Sequence, residues 1–319
     1  MQNISVYLNN RASNGSQDWK NQINSALFRS EVSFNSPENL DELYSQLDND
    51  VQNNIDAVMS VGGDGTVNTI IQRLAGTDVS LLVVPGGTAN DFARTLGSSR
   101  NVKSIAQTIR KNSKKKIDLI NINGQFMATN GGLGFASDVA FEINELRKSF
   151  PKFKDFMKLS GKSVYSLFLA KKLLGKEILS HKFKINSEEY NDIVLSPLIL
   201  INNQPALAGN FIVAPKTNHQ DGKFNVTIFT HENRLELISS ILKILSGDFP
   251  YEDKKIKTFE TNEINLELLD SDPVAFFGDG EIFDKSSKWN IKCYPQFLSV
   301  YAPNSNVNEK NLCTQVSLI

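Results

Sequence analysis

Gly62-Gly63-Asp64-Gly65-Thr66 is the stretch on which the reading of this chain turns, and Pro85-Gly86-Gly87-Thr88-Ala89-Asn90-Asp91 repeats its logic further on. Each follows a short apolar run that reads as a strand, Ala57 to Val61 for the first and Leu81 to Val84 for the second. Each leads into a helical stretch. A strand, a glycine-rich turn and a helix N-terminus together make an anion site, because backbone N–H groups point outward and the helix dipole favours negative charge. Glycine lets the backbone bend sharply and lie close to a phosphate.

Both loops carry a carboxylate, Asp64 and Asp91. A carboxylate beside a polyphosphate is repelled unless a cation stands between them, so the pair implies magnesium or another divalent ion shared with phosphate oxygens. The plainer alternative is that each aspartate caps a helix or turn. Neither loop is a G-x-x-x-x-G-K-[ST] or a G-x-G-x-x-G, so ordinary P-loop ATPases and the dinucleotide fingerprint are set aside.

The 319 residues suffice for two domains, and a net charge of −1 gives no general attraction to nucleic acid. The two cysteines, Cys293 and Cys313, lack metal-ligand spacing, and the three histidines, His181, His219 and His231, suggest neither a triad nor a metal cluster. No signal peptide or membrane-spanning run is read, so a cytoplasmic protein is expected. Strand-helix alternation to about residue 118 predicts a parallel doubly wound sheet, whose ligands sit at the carboxyl ends of strands. Beyond Lys116 the pattern becomes strands separated by Gly, Asn and Asp turns, which predicts a β sandwich or barrel, interrupted by helices near Phe141 to Gly175 and Arg234 to Ser246. The expected domains are 1–120 and 121–302, leaving open a return of the final strand to the first domain, with a polar tail at 303–319.

The two loops, extended to Asn68 and to Phe92-Ala93, resemble the hallmark motifs of the diacylglycerol kinase catalytic domain, and more closely those of the bacterial YegS-like lipid kinases. Gly131-Gly132-Leu133-Gly134-Phe135 resembles the glycine-rich turn that opens that family's second domain. Asn202-Asn203 with Asp221-Gly222-Lys223 resembles its magnesium-associated stretch, and Asp279-Gly280-Glu281 its Asp-Gly-Glu. Gly-Gly-Asp-Gly-Thr by itself is shared with NAD kinases and phosphofructokinases, whereas the Pro85 motif is more specific.

The resemblance implies an α/β nucleotide-binding domain of the NAD kinase/diacylglycerol kinase type, a sandwich-like β domain and an active site in the cleft between them. It implies an ATP- and magnesium-dependent lipid kinase acting on a hydroxyl of a diacylglycerol-like lipid, resting peripherally on a membrane, with room for a homodimer. By position, Gly62, Gly63, Asp64, Gly65, Thr66, Val67 and Asn68 would hold nucleotide phosphates. Thr88 would bond phosphate, Ser33 would supply a hydroxyl contact, and Asn9, Thr69, Gly87, Asn90 and Asp91 complete the nucleotide set. Asp221 would ligate magnesium with backbone help near Asn218 and Lys223. Glu281 would take the lipid proton, with Asp64 as the rival base and Asp279 beside it. Thr69 stands where the family usually has Glu, Gly278 replaces an apolar residue, and Asn9-Asn10-Arg11-Ala12-Ser13 replaces an Asn-Pro-x-x-Gly loop. An NAD kinase-like enzyme with a soluble substrate, or a non-catalytic nucleotide- or lipid-binding regulator, are the other readings.

From the residues alone, Asp279 and Glu281 share a face if they lie on a strand, or are two solvated acids if Asp-Gly-Glu is a tight turn. His-Gln-Asp-Gly around Asp221 likewise reads as a hairpin turn. The lysines and aromatics between Arg147 and Lys184 could form a basic amphipathic surface for anionic headgroups, or a solvated helix face whose aromatics are core.

Overall fold

Apolar strands separated by amphipathic helices build the first part of the chain, and alternating strands the rest. The computed structural model describes residues 2–8, 19–87, 90–135, 137, 179–207, 211–246, 248–270 and 272–303. Asn9, Thr88, the helix read at Phe141 to Gly175 and most of the basic stretch from Arg147 lie outside them. The chain divides into two units, Met1–Ile117 with Gln296–Ile319, and Asp118–Pro295.

In the first unit, β1 (Asn3–Leu8), β2 (Glu31–Asn35), β3 (Ala57–Gly62) and β4 (Ser80–Pro85) form a parallel sheet in the order β2-β1-β3-β4. Every residue of β3 is buried, as expected for a parallel strand covered on both faces. The helices are α1 (Trp19–Ala26), α2 (Leu40–Gln52), α3 (Asp64–Leu74), α4 (Asp91–Thr95) and α5 (Val102–Arg110). Asn39 caps α2 by accepting from Glu42 N, and Asn101 caps α5 by accepting from Lys103 N. Trp19, Ile23, Val6, Met59, Val84, Ile105 and Ile109 make the core against one sheet face. The sheet gains a further parallel contact late in the chain, where Val300 pairs with Leu81.

In the second unit, β5 (Lys114–Ile122, shared across the boundary) and β6 (Gln125–Met127) form a hairpin turned by Asn123 and Gly124. The next strands are β7 (Asn130–Gly134), β8 (His181–Asn186), β9 (Asn191–Ser196), β10 (Leu198–Asn202), β11 (Ala206–Leu207), β12 (Phe211–Ile212) and β13 (Phe224–Phe229). After α6 (Arg234–Leu245) come β14 (Ile256–Thr261), β15 (Glu263–Leu268), β16 (Val274–Gly278), β17 (Glu281–Ser286) and β18 (Lys288–Tyr301). One antiparallel sheet runs β14-β13-β10-β7-β16-β17, and another joins β15 to β18 and β8, with β9 at its edge. Phe183, Ile185, Ile199, Ile201, Val226, Ile264, Phe276 and Trp289 from both sheets share one core, so the unit is a β sandwich. Leu237, Ile241 and Ile244 of α6 pack with Leu198, Leu200, Phe229 and Phe277.

Several sequence readings need correction. Gly131 to Gly134 is not a turn but part of the buried strand β7, paired with β10 and β16. A Cβ on Gly132 would stand 2.1 Å from Ile199 O, and one on Gly131 2.2 Å from Phe277 O. These glycines serve close strand approach. Ile193 to Asn202, which reads as one apolar strand in the sequence, is two strands broken at Pro197, which cannot donate to a ladder. Trp289–Tyr294 and Leu298–Tyr301 are parts of a single strand, β18, with Gln296 in the left-handed region (φ 51°).

Candidate active site

The two glycine loops leave the carboxyl ends of β3 and β4, where Gly62 and Pro85 stand in register. Gly86 N donates to Gly62 O at 2.7 Å. A Cβ on Gly87 would lie 2.7 Å from Gly63 Cα, so the loops touch backbone to backbone and Gly87 has no room for a side chain. Gly63 is the N-cap of α3 and supplies no side-chain cap. The first intrahelical bond is Val67 N to Gly63 O at 3.1 Å. Asp64, Gly65 and Thr66 therefore form a helix-start N–H array of the kind that receives anions.

Asp64 is not a capping residue of its own helix. Its Oδ2 accepts from Asn90 N at 2.8 Å, tying the first loop to the second. Asn90 sits in the left-handed region (φ 51°), a conformation asparagine tolerates. Its side chain closes on Gly87 twice, accepting from Gly87 N at 2.8 Å and donating to Gly87 O at 2.7 Å. Asp91 opens α4 and pairs with Arg94 one turn on. Val67 and Asn68 are buried, so their side chains face the core. Thr69 Oγ1 bonds back to Gly65 O inside α3.

The register separates Ser33 from this group. Ser33 pairs with Ser5, and Ser5 with Val58, four residues short of Gly62, or roughly 13 Å along the strands. Its hydroxyl bonds Ser5 Oγ at 3.0 Å, and Ser5 donates to Asp50. Tyr7 OH also donates to Asp50, and burial first, then that bond and charge, push the Tyr7 phenol upward.

In the second unit, Asp221 is exposed on a loop, with Oδ1 accepting from Lys223 N at 3.0 Å. Asn218 Oδ1 accepts from Gln220 N. Behind the loop lies Asp118 of β5, fully buried, which sequence reasoning missed. Its Oδ2 accepts from Gly222 N at 2.7 Å and its backbone N donates to His219 O at 2.8 Å. The signal was present: a single acid inside an apolar strand, Lys116-Ile117-Asp118-Leu119-Ile120. Burial, followed by the charges of Asp118 and Asp221, pushes the nearby Cys293 thiol up to about 12. Thr217 Oγ1, at the start of this loop, is buried and has no hydrogen-bond partner among the described residues. These are oxygen donors of the kind a hard divalent cation takes, and they fit magnesium held through one or two carboxylates and water. No cluster of three His, Cys, Asp or Glu side chains occurs among the described residues.

Asp279-Gly280 is the two-residue turn between β16 and β17, both residues having positive φ (53° and 80°) and Gly278 pairing with Glu281. The turn does not leave two solvated acids. Asp279 is buried, and its carboxylate accepts from Ala128 N (2.9 Å), Thr129 N (2.7 Å) and Thr129 Oγ1 (2.6 Å). Glu281, one residue past the turn, is exposed. The two carboxylates therefore have different environments rather than one shared face.

His231 is buried in a Ser240–His231–Asp253 cluster, but Ser240 Oγ and Asp253 Oδ2 both approach the same Nε2 (3.2 and 3.0 Å), and Ser240 is itself buried. A nucleophilic triad uses opposite ring nitrogens; this cluster holds structure together.

A parallel sheet with paired glycine loops, on a chain that continues into a β sandwich, is the architecture that the comparisons with known proteins also describe. Residues 6–122 match the diacylglycerol kinase catalytic domain, and residues 154–302 match the YegS C-terminal NAD kinase beta sandwich-like domain. The chain therefore carries the two domains in series, a diacylglycerol kinase catalytic domain followed by a YegS C-terminal domain. It is similar to a protein named "Putative lipid kinase" in Staphylococcus carnosus, 26% identical over 71% of each chain. It is also similar to a diacylglycerol kinase of Mycobacterium tuberculosis, 27% identical over 78% of this chain and 77% of that one. A solved diacylglycerol kinase structure from Bacillus anthracis shares the fold, with a TM-score of 0.71 at 20% identity, covering 96% of this chain and 98% of the other.

Proposed function

We propose that this protein transfers the γ-phosphoryl group of ATP to a hydroxyl of a diacylglycerol-like lipid. The observation that carries the proposal is the bracing of two glycine loops by Asp64 and Asn90 at the carboxyl ends of β3 and β4. Phosphoryl transfer asks a protein for positioning and charge neutralisation. The Gly63–Thr66 backbone supplies donors for the phosphates. Asp64, held by Asn90 N, keeps a carboxylate beside them. Magnesium, when bound, neutralises phosphate charge, and Asp221, backed by Asp118, is the proposed carboxylate for a divalent ion in the second unit. Glu281 is the better proton acceptor of the Asp-Gly-Glu pair, because it is exposed while Asp279 spends both oxygens on Ala128 and Thr129. The two domain matches and the names of the relatives support a lipid acceptor. A cytoplasmic protein that meets the membrane peripherally is the matching proposal for location; no helix among the described residues is long and apolar enough to cross a membrane.

The test is incubation with radiolabelled ATP, magnesium and a total lipid extract, followed by thin-layer separation. Label in a phospholipid product, abolished by chelator, is the expected result. Label transferred to NAD instead, or to nothing, would refute the lipid kinase reading.

A further inference from the structure

The opposite edge of the first unit holds a cavity of about 180 Å³, at the amino-terminal ends of β1 and β2 and away from the glycine loops. Gln2, Leu27, Phe28, Arg29, Ile109 and Arg110 are among its lining residues. Leu27 and Ile109 are buried and give it an apolar floor. Phe28 is 68% exposed, a large ring left in solvent, with the Arg29 guanidinium 5.4 Å from its centroid. No carboxylate pairs with Arg29 or Arg110 among the described residues. No acid among the described residues lines the cavity.

A simpler role exists for the arginines, since α1 and α5 both end here and a cation suits a helix C-terminus; Arg110 Nε indeed bonds Ala106 O at 3.2 Å. Magnitudes decide against that role being sufficient. Two helix ends contribute roughly −0.5 charge each, about −1 together, against two full positive charges. About one positive charge is left over at the mouth of a cavity with an apolar floor.

We propose that this cavity binds a small phosphomonoester carrying an apolar substituent. A phosphomonoester brings about −1.5 to −2 charge and three acceptor oxygens, which suits two guanidinium forks. Its substituent would lie on Leu27 and Ile109 beside the Phe28 ring. Either a soluble aryl or short-chain phosphate or the phosphomonoester headgroup of a lipid has this chemistry. The assignment is independent of the kinase reading.

Isothermal titration of the full chain with phenyl phosphate at low salt tests it, with inorganic phosphate and benzyl alcohol as controls. Phenyl phosphate is expected to bind best. The double variant R29Q/R110Q should weaken it at least about tenfold, the scale of losing charge-assisted hydrogen bonds, while keeping the parent's thermal melt; Asp64→Asn should leave this binding in place. Phe28→Ala should weaken phenyl phosphate several-fold but not inorganic phosphate. Absence of binding, or equal binding by R29Q/R110Q, overturns the proposal. Sedimentation with phosphatidylcholine vesicles containing phosphatidic acid then separates the sources. Retention lost in R29Q/R110Q supports the site with a lipid headgroup; phenyl phosphate binding without retention supports it with a soluble ester.

Discussion

Asp279 and Glu281 stand two residues apart and have different tasks. Removing the Asp279 carboxylate leaves buried N–H groups of Ala128 and Thr129 without acceptors, at about 1–3 kcal/mol for each unsatisfied group. Asp279→Ala is expected to cost about 3 kcal/mol or more, read as a fall of about 6–12 °C in melting temperature for a unit of this size. Glu281→Gln is expected to leave the melting temperature within about 2 °C, because exposed substitutions cost little, while lowering kcat by about 10²–10⁴-fold. If the two variants exchanged these phenotypes, the division between structural and proton-accepting acid would be wrong. Asn90→Ala should raise the KM for ATP about tenfold or more, since it unlocks Gly87 and frees the backbone from the left-handed turn; an unchanged KM would show that the brace is dispensable. The Asp64 and Asn90 loops were legible because glycine and acid at a strand-helix junction have few other uses. Asp118 was not, because its importance depends on a loop a hundred residues later wrapping over it. The position of Ser33 along the sheet was not legible either, because a strand's register with its neighbours is invisible in its own residues.

Among the elements, β7 shows most clearly where local reading stops. Glycine usually signals a turn, and only the neighbours β10 and β16 reveal that Gly131 and Gly132 are strand residues with no room for a methyl group. Gly132→Ala is expected to abolish soluble expression. Gly124→Ala meets no atom within 4 Å but has a positive φ (96°), so it should cost only about 1–2 kcal/mol. Equal tolerance of both would contradict the close packing of β7. At the junction of β13, α6 and β14, burial pushes the Asp253 carboxyl upward, but bonds from Ser240, Lys255 N and His231 outweigh it and hold it below the ordinary carboxylate range. A depressed carboxyl contributes stability that is present above its unfolded-state pKa and is lost as pH falls through the folded one. Asp253→Asn should therefore be less stable than the parent at pH 7, and the gap in melting temperature should close as pH falls below about 4. A gap that widens on acidification would contradict the assignment.

For the whole molecule, chain order and unit membership differ. The first unit receives Leu298, Val300 and Tyr301, all at most 2% exposed, from the end of β18. Deleting residues 296–319 should thus unfold the first unit, although the deletion lies far in sequence from its other strands; a soluble deletion protein that still binds nucleotide would contradict this. The α/β-then-β architecture was legible from the change in strand rhythm near Lys116, because helix and strand periodicities differ along any window of sequence. The sharing of β18 between units was less so, since Trp289–Tyr294 and Leu298–Tyr301 read as separate strands around Pro295 and Gln296. The central claim is that the backbone from Gly63 to Thr66 receives the phosphates of a nucleotide. A crystal structure of the protein soaked with ADP and magnesium tests it most directly. The account predicts phosphate oxygens within hydrogen-bond distance of the Gly63–Thr66 N–H groups, with the Asp64–Asn90 bond kept; ADP seated elsewhere, with this helix start untouched, would contradict it.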